Sequence, residues 1–331
     1  MLKIVLCADT HLGFDYPIRP RIARRRRGKD FIRNFQRIMD FAVENEADYV
    51  VHGGDFFFRS KLPEKVITIG YEMLLDFSGY NIPFLLVPGN HERSQLPPSL
   101  FVTTKNIHIF DKPRTFQFEK NNEIIHFHGF PYAGGRISEQ FYHIMDHYKV
   151  SRSAHEIHFL CMHQIVEGAR LEHYTFRHGL NVIPRRQIPE EFDCVVSGHI
   201  HRAQILYRKA VNKKIPIIYP GSVERTSFQE EHEEKGFYVM ECEKDNWIYK
   251  WNTDFIPLET RPMLTLDLDK QNISPDTITR HLRNYLKTID YNAVVRIRTH
   301  DHNIRRELSA QTLRDLAPST MNMELSPTII P

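Results

Sequence analysis

The sequence predicts an α/β fold, a two-sheet αββα sandwich over residues 1–257 with a small α+β domain appended over residues 258–331. Three observations carry that expectation. Short apolar runs alternate with amphipathic helical stretches early in the chain, an order that implies parallel strands with helices outside the sheet. Further strand-like runs then follow without long helices between them, which implies a second, partly antiparallel sheet packed on the first. Around Phe255–Arg261 the pattern breaks and a fresh β-α-β unit starts.

Taken in order, Leu2–Ala8 reads as a strand and Lys29–Glu44 as a helix, with Phe31, Phe35, Ile38, Met39 and Ala42 along one face. Tyr49–His52 is a strand, Pro63–Phe77 a helix with Pro in its first turn, and Phe84–Val87 a strand. Ile124–His128, Ile157–Met162, Cys194–Ser197, Ile215–Tyr219, Phe237–Glu241 and Trp247–Trp251 are the strands of the second sheet. The appended domain is expected as strand Met263–Leu268, helix Pro275–Leu286, strand Ala293–Arg298, helix Ala310–Leu316 and a last strand near Met321–Leu325. A unit this small leans on a larger neighbour for stability.

Composition excludes some classes. Hydrophobic residues at 41% and charged residues at 26% match a soluble globular protein. No apolar run reaches the roughly 18–20 residues that span a bilayer, so no membrane association is expected. The chain enters a strand at once, so no secretory leader is expected either. The four cysteines, Cys7, Cys161, Cys194 and Cys242, form no CxxC pair and read as buried reduced thiols of a cytoplasmic protein. A net charge of +3 is too small to argue for nucleic acid by itself.

The chemistry sits in polar clusters that each follow the end of an apolar strand: Asp9-Thr-His11, Gly53-Gly-Asp55, Gly89-Asn90-His91-Glu92, Met162-His163 and Gly198-His199-Ile-His201. Ligands in open α/β sheets bind at the carboxyl ends of the strands, so Asp9, His11, Asp55, Asn90, His163, His199 and His201 are expected to converge. Two carboxylates, one amide and four imidazoles, shared between two divalent cations with Asp55 bridging, give each cation about four protein ligands. The mixed oxygen and imidazole set suits manganese, iron or zinc rather than calcium. Two divalent ions against two aspartates leave the site net positive, suited to a phosphodiester, and lower the pKa of a bridging water. Any one of these histidines alone is more often an ordinary core residue than a ligand; five such clusters in one order are what chance does not supply.

Asp-x-His, Gly-Asp, Gly-Asn-His and Gly-His-x-His in this order resemble the calcineurin-like metallophosphoesterase superfamily. That resemblance implies Asp9, His11 and His201 on one metal, Asn90, His163 and His199 on the other, and Asp55 on both. It implies His91 as proton donor or charge stabiliser at the leaving oxygen, with Glu92 orienting it. Tyr219-Pro-Gly-Ser-Val-Glu-Arg225, Glu234-Lys-Gly-Phe237 and Gly129-Phe-Pro-Tyr132 resemble SbcD-type nucleases of double-strand-break repair, as does the β-α-β unit from Met263, which looks like their DNA-contacting capping domain. The implied activity is manganese-dependent 3′-to-5′ exonuclease on duplex ends and endonuclease on single strands. The implied partners are DNA, an SbcC-type coiled-coil ABC ATPase and a second copy of the chain. Dimer contacts would fall on Pro63–Phe77 and Pro98-Ser-Leu-Phe101, and the location is cytoplasmic, with the nucleoid. Two positions depart from the pattern: Glu92 stands where the family usually has Asp, and Phe58 where some relatives have a histidine linked to exonuclease action.

Arg19, Arg21, Arg24, Arg25, Arg26, Arg27 and Lys29 follow the first cluster closely. Cations packed at a helix N-terminus repel one another and oppose the helix dipole; a phosphate backbone relieves both. These residues are therefore candidate DNA contacts, with Arg59, Lys61 and Arg93 in neighbouring loops as further ones. The competing readings are a phosphatase or small phosphodiesterase, and a non-catalytic DNA-end-binding scaffold. The absence of Gly-Asp-x-x-Asp-Arg-Gly (here Asp55-Phe-Phe-Phe-Arg-Ser) argues against a protein phosphatase.

Overall fold

A computed structural model of the chain describes residues 2–15, 27–92, 96–97, 100, 106–148, 150, 155–211, 213–245, 248–271 and 273–326. It splits into two compact units, one of residues 1–14, 28–224 and 234–258 and the other of residues 15–27, 225–233 and 259–331.

The larger unit holds two six-stranded mixed sheets. Its elements are β1 (Leu2–Cys7), α1 (Gly28–Glu44), β2 (Tyr49–His52), α2 (Glu64–Ser78), β3 (Phe84–Leu86), β4 (Ile107–Ile109), β5 (Arg114–Lys120), β6 (Glu123–Gly129), α3 (Ile137–Met145), β7 (Glu156–Met162), β8 (Cys194–Ser197), β9 (Gln204–Lys209), β10 (Lys214–Tyr219), β11 (Gly236–Asp245) and β12 (Ile248–Pro257). The first sheet runs β12-β11-β1-β2-β3-β4 and the second β9-β10-β8-β7-β6-β5. β1 to β4 pair in parallel, as the alternation with helices requires. The assignment of 237–251 to the second sheet is corrected: β11 and β12 extend the first, β11 antiparallel to β1 and β12 antiparallel to β11.

Strand alternation builds the core. Ile157, Phe159 and Cys161 of β7 face Ile4 and Leu6 of β1 and Val51 of β2 in the apolar layer between the sheets. The intervening Leu160 and Met162 face outward, under Ile137, Phe141 and Met145 of α3. On the outside of the first sheet, Phe35 of α1 lies edge-on to Phe84 and His52. All four cysteines are buried free thiols.

The smaller unit has a three-stranded parallel sheet, β13 (Met263–Asp267), β14 (Val294–Arg298) and β15 (Asn322–Leu325), with helices α4 (Ile278–Leu286), α5 (His302–Glu307) and α6 (Ala310–Leu316). Leu266, Ile278, Leu282, Ile297, Ile304 and Leu313 form its core. Arg261 is buried and donates to Asn292 O, Asn322 Oδ1 and Thr320 O at 2.6, 2.6 and 2.8 Å, tying the sheet's strands together. No helix among the described residues is long and apolar enough to cross a membrane.

Candidate metal centre

The site forms where β1, β2, β3, β7 and β8 end. Beyond the strand ends, the loops after β1 and β2 stay zipped: Asp9 N–H donates to Gly54 O at 2.8 Å, His11 N–H to Asp55 O at 3.0 Å and Leu12 N–H to Phe56 O at 2.8 Å. Asp9, His11, Asp55 and His199 all hold left-handed backbone, with φ of 51°, 44°, 53° and 79°. Each such non-glycine residue costs on the order of 1–3 kcal/mol, and such strain concentrates at functional sites. The neighbouring glycines allow close approach. A Cβ on Gly89 would sit 2.1 Å from Asp55 Oδ1, and one on Gly54 2.3 Å from His163 Nδ1.

All seven expected ligands meet. His11 Nε2 lies 3.0 Å from His201 Nε2, and Asp9, His11 and His201 offer donor atoms within 4.8 Å of one another, as do Asp9, Asp55 and His163. Asn90 Oδ1 is 3.0 Å from His163 Nε2 and 2.7 Å from His199 Nδ1. Asp55 Oδ2 is 3.3 Å from His163 Nε2. His163 donates Nδ1–H to Gly53 O at 2.8 Å, which turns Nε2 into the site.

The electrostatics of this set call for cations. Burial pushes the Asp9 carboxyl above its ordinary range. Burial acts the same way on Asp55, but His163 beside it reverses the direction and holds that carboxyl low. Burial pushes His199 down to about 3 and His11 well below its ordinary value, with neighbouring imidazoles adding to the effect. Asp9 Oδ2 and His11 Nδ1 are buried with no hydrogen-bond partner, at a cost of about 1–3 kcal/mol for each polar atom. Divalent cations relieve the crowding of carboxylates and the unpartnered oxygen together, so the donor set fits a pair of them.

His91 lies at the open side, its side chain a third exposed. Its backbone N–H donates to Asp55 Oδ1 at 2.9 Å and its Nδ1–H to Phe58 O at 2.6 Å. Nε2 is thereby left facing the site, 3.8 Å from Asp55 Oδ2. The expected role of Glu92 is corrected here. Its two oxygens accept the backbone N–H groups of Phe57 at 2.6 Å and Gly89 at 3.0 Å, so it braces two site loops. The carbonyl of Phe58 is what orients His91.

Several supporting residues escaped the sequence reading. His52, fully buried, accepts Gly54 N–H on Nδ1 at 3.2 Å, so its Nε2–H donates to Thr10 Oγ1 at 3.0 Å. Thr10 in turn donates to Phe56 O. Tyr132 stacks on His199 with ring centroids 5.6 Å apart. The stretch after the last histidine gains a reason: Ser222 N–H and Lys235 Nζ both donate to His201 O, at 3.0 and 2.9 Å.

Among the basic candidates, Arg24, Arg25, Arg26 and Arg93 lie outside the described residues, as do Arg19 and Arg21. Arg27 donates to the carbonyl of Arg225. Lys29 is exposed in the first turn of α1. Arg59 is half-buried, its guanidinium 5.8 Å from the centre of the Phe58 ring.

A sheet-end cluster of this composition defines a class, and the chain belongs to it: residues 2–203 match the calcineurin-like phosphoesterase family. Within it the chain is similar to the DNA double-strand break repair protein Mre11 of Methanococcus maripaludis, 24% identical over 87% of this chain and 73% of that one. The Saccharolobus solfataricus protein of the same name is 24% identical over 96% of this chain and 80% of that one. The SbcD component of the nuclease SbcCD from Staphylococcus saprophyticus is 23% identical over 86% of this chain and 77% of that one. A dimetal phosphatase from Danio rerio superposes with a TM-score of 0.46 at 12% identity, over 72% of this chain and 92% of that one, too loose a match to carry weight.

Proposed function

We propose that the chain is a two-metal DNA nuclease of double-strand-break repair, hydrolysing phosphodiester bonds as a 3′-to-5′ exonuclease on duplex ends and an endonuclease on single strands. The observation that carries the reading is the contiguous set of Asp9, His11, Asp55 and His163, buried, with Asn90, His199 and His201, partly buried, and with Asp9 Oδ2 unpartnered. The names borne by the relatives support DNA as the substrate.

Asp9, His11 and His201 would hold one cation, Asn90, His163 and His199 the other, with Asp55 between them. Manganese is the proposed metal, and the bound pair supplies an activated water and positive charge opposite the phosphate. The chain itself supplies orientation. The Gly53 carbonyl fixes His163, the backbone of His199 fixes Asp9 through a 3.1 Å hydrogen bond, and the Phe58 carbonyl fixes His91. His91 Nε2, turned toward the site, would stabilise or protonate the leaving oxygen. Arg24, Arg25, Arg26, Arg27, Lys29, Arg59 and Arg93 are proposed to grip the DNA backbone, with residues 258–331 as a DNA-contacting cap.

An SbcC-type coiled-coil ABC ATPase and a second copy of the chain, met through α2, are the proposed protein partners, in the cytoplasm at the nucleoid. The test is cleavage of labelled duplex and hairpin DNA with manganese. Products from the wild type and their loss in His91→Ser are expected. No cleavage, undiminished cleavage by His91→Ser, or a preference for p-nitrophenyl phosphate over DNA contradicts the reading.

A further inference from the structure

Fifteen or so ångströms back along β7 from His163, by the rise of about 3.3 Å per residue, three more histidines meet. His126 and His128 of β6 and His158 of β7 offer nitrogens within 4.8 Å of one another. β6 and β7 run parallel with His126 opposite His158, so period-2 alternation puts all three, and Glu156, on one face of the second sheet. That face is turned away from the apolar layer, where Ile125, Phe127, Ile157 and Phe159 point.

Hydrogen bonding explains only part of the group. His128 Nε2 lies 3.0 Å from His158 Nδ1 and His128 Nδ1 lies 2.8 Å from Thr115 Oγ1, an ordinary buried chain. His126 does not join it: its Nε2 is buried with no hydrogen-bond partner. The Glu156 carboxylate stands just off, one oxygen 3.7 Å from His126 Nε2 and the other 3.7 Å from His158 Nε2. That is too long for a hydrogen bond. It is close to the roughly 3.3–3.6 Å that separates two ligand atoms each bound about 2.0–2.1 Å from one cation. Thr115 occupies the place where a ligating histidine keeps the partner of its other nitrogen. Burial pushes His128 down to about 3, helped by His158 and His126, which keeps its imidazole in the neutral form that ligates.

We propose that His126, His128, His158 and Glu156 form a separate cation site that takes one borderline divalent ion, zinc in preference to manganese. Three imidazoles and a carboxylate favour zinc over manganese in the general affinity order of divalent metals. The rings of His126 and His158 are nearly parallel, 6° apart with centroids at 4.6 Å, so binding requires their edges to tilt toward the ion. Rotation about the terminal torsion of histidine is soft enough to allow this. Access is through His126 and Glu156, whose side chains are 14% and 21% exposed. The bound ion would cross-link neighbouring strands of the second sheet without touching the phosphoesterase centre.

The test counts ions. Metal-free protein is dialysed against zinc, freed of excess by gel filtration and assayed for zinc per chain by elemental analysis. Three ions per chain are expected in the wild type and two in His126→Gln, with manganese-supported DNA cleavage unchanged by that substitution. Glu156→Gln, at a more exposed position, gives the same comparison if His126→Gln folds poorly, and is expected to weaken zinc binding at this site at least tenfold. Asp55→Asn, which disrupts the dinuclear centre, should leave an ion that His126→Gln then removes. A wild type that never exceeds two ions per chain, or a third ion that persists in both His126→Gln and Glu156→Gln, overturns the proposal.

Discussion

The ring of His52, at the end of β2, and the hydroxyl of Thr10, in the loop after β1, meet across a 3.0 Å hydrogen bond. Each is placed next to proposed ligands: Thr10 between Asp9 and His11, His52 just before the Gly53-Gly54-Asp55 turn. Thr10→Val keeps the shape but leaves the His52 N–H without its partner and takes from the Phe56 carbonyl one of its two hydrogen bonds. A loss of about 1–3 kcal/mol of stability is expected, together with weaker metal binding, read by denaturant melts and metal titration. Unchanged melts would show that the bond carries no weight.

Glu92 and His91 are neighbours in sequence with different tasks. Glu92→Ala strips the partner from two buried backbone N–H groups. It should loosen the loops and lower metal affinity as well as rate. His91→Ser touches no ligand bond, so metal content should stay at the wild-type level while turnover falls by roughly 10²–10⁴-fold. Metal analysis beside single-turnover kinetics separates the two. If both variants keep their metal and lose only rate, the bracing role assigned to Glu92 is wrong.

Gly89 leaves no room for a side chain. Gly89→Ala drives a methyl group into the Asp55 carboxylate and backbone, and a packed interior resists such insertion by about 1–3 kcal/mol. At least a tenfold loss of metal affinity is expected by calorimetric titration, with the circular dichroism spectrum of the fold retained. Wild-type affinity would mean that Asp55 can move aside.

Metal removal should lower stability. A ligand at a hundred times its dissociation constant adds about 2.7 kcal/mol per site to the folded state. Calorimetric scans with manganese and after chelation should therefore differ by several degrees in Tm. Asp9→Asn is expected to narrow that gap by weakening the site, and an equal gap in both proteins would place the stabilising ion elsewhere.

The candidate site residues were legible because each sits just past the end of an apolar run, most of them in a glycine-bearing polar cluster. Strand ends of one parallel sheet meet along one edge, so sequence position translated directly into spatial convergence. His52 was not legible: it closes the run Tyr49-Val-Val-His52 as an ordinary strand residue, and only the loop geometry shows its two bonds. The histidines at 126, 128 and 158 alternate as outward-facing strand residues should, and pairing across strands is what gathers them. β5, with its side chains alternating between half-buried and exposed, lacks the apolar run that marks a buried strand. β11 and β12 are legible as strands but not as members of the first sheet, because order in the chain does not decide which edge a hairpin joins. Residues 225–233 group with the smaller unit through bonds such as Arg225 to Thr260 and Glu231 to Thr265, which no local pattern announces.

The most direct test of the central claim is an anomalous difference map from crystals grown with manganese. Two peaks are predicted within the set of Asp9, His11, Asp55, Asn90, His163, His199 and His201, with Asp55 in contact with both. One peak, or none there, would contradict the account.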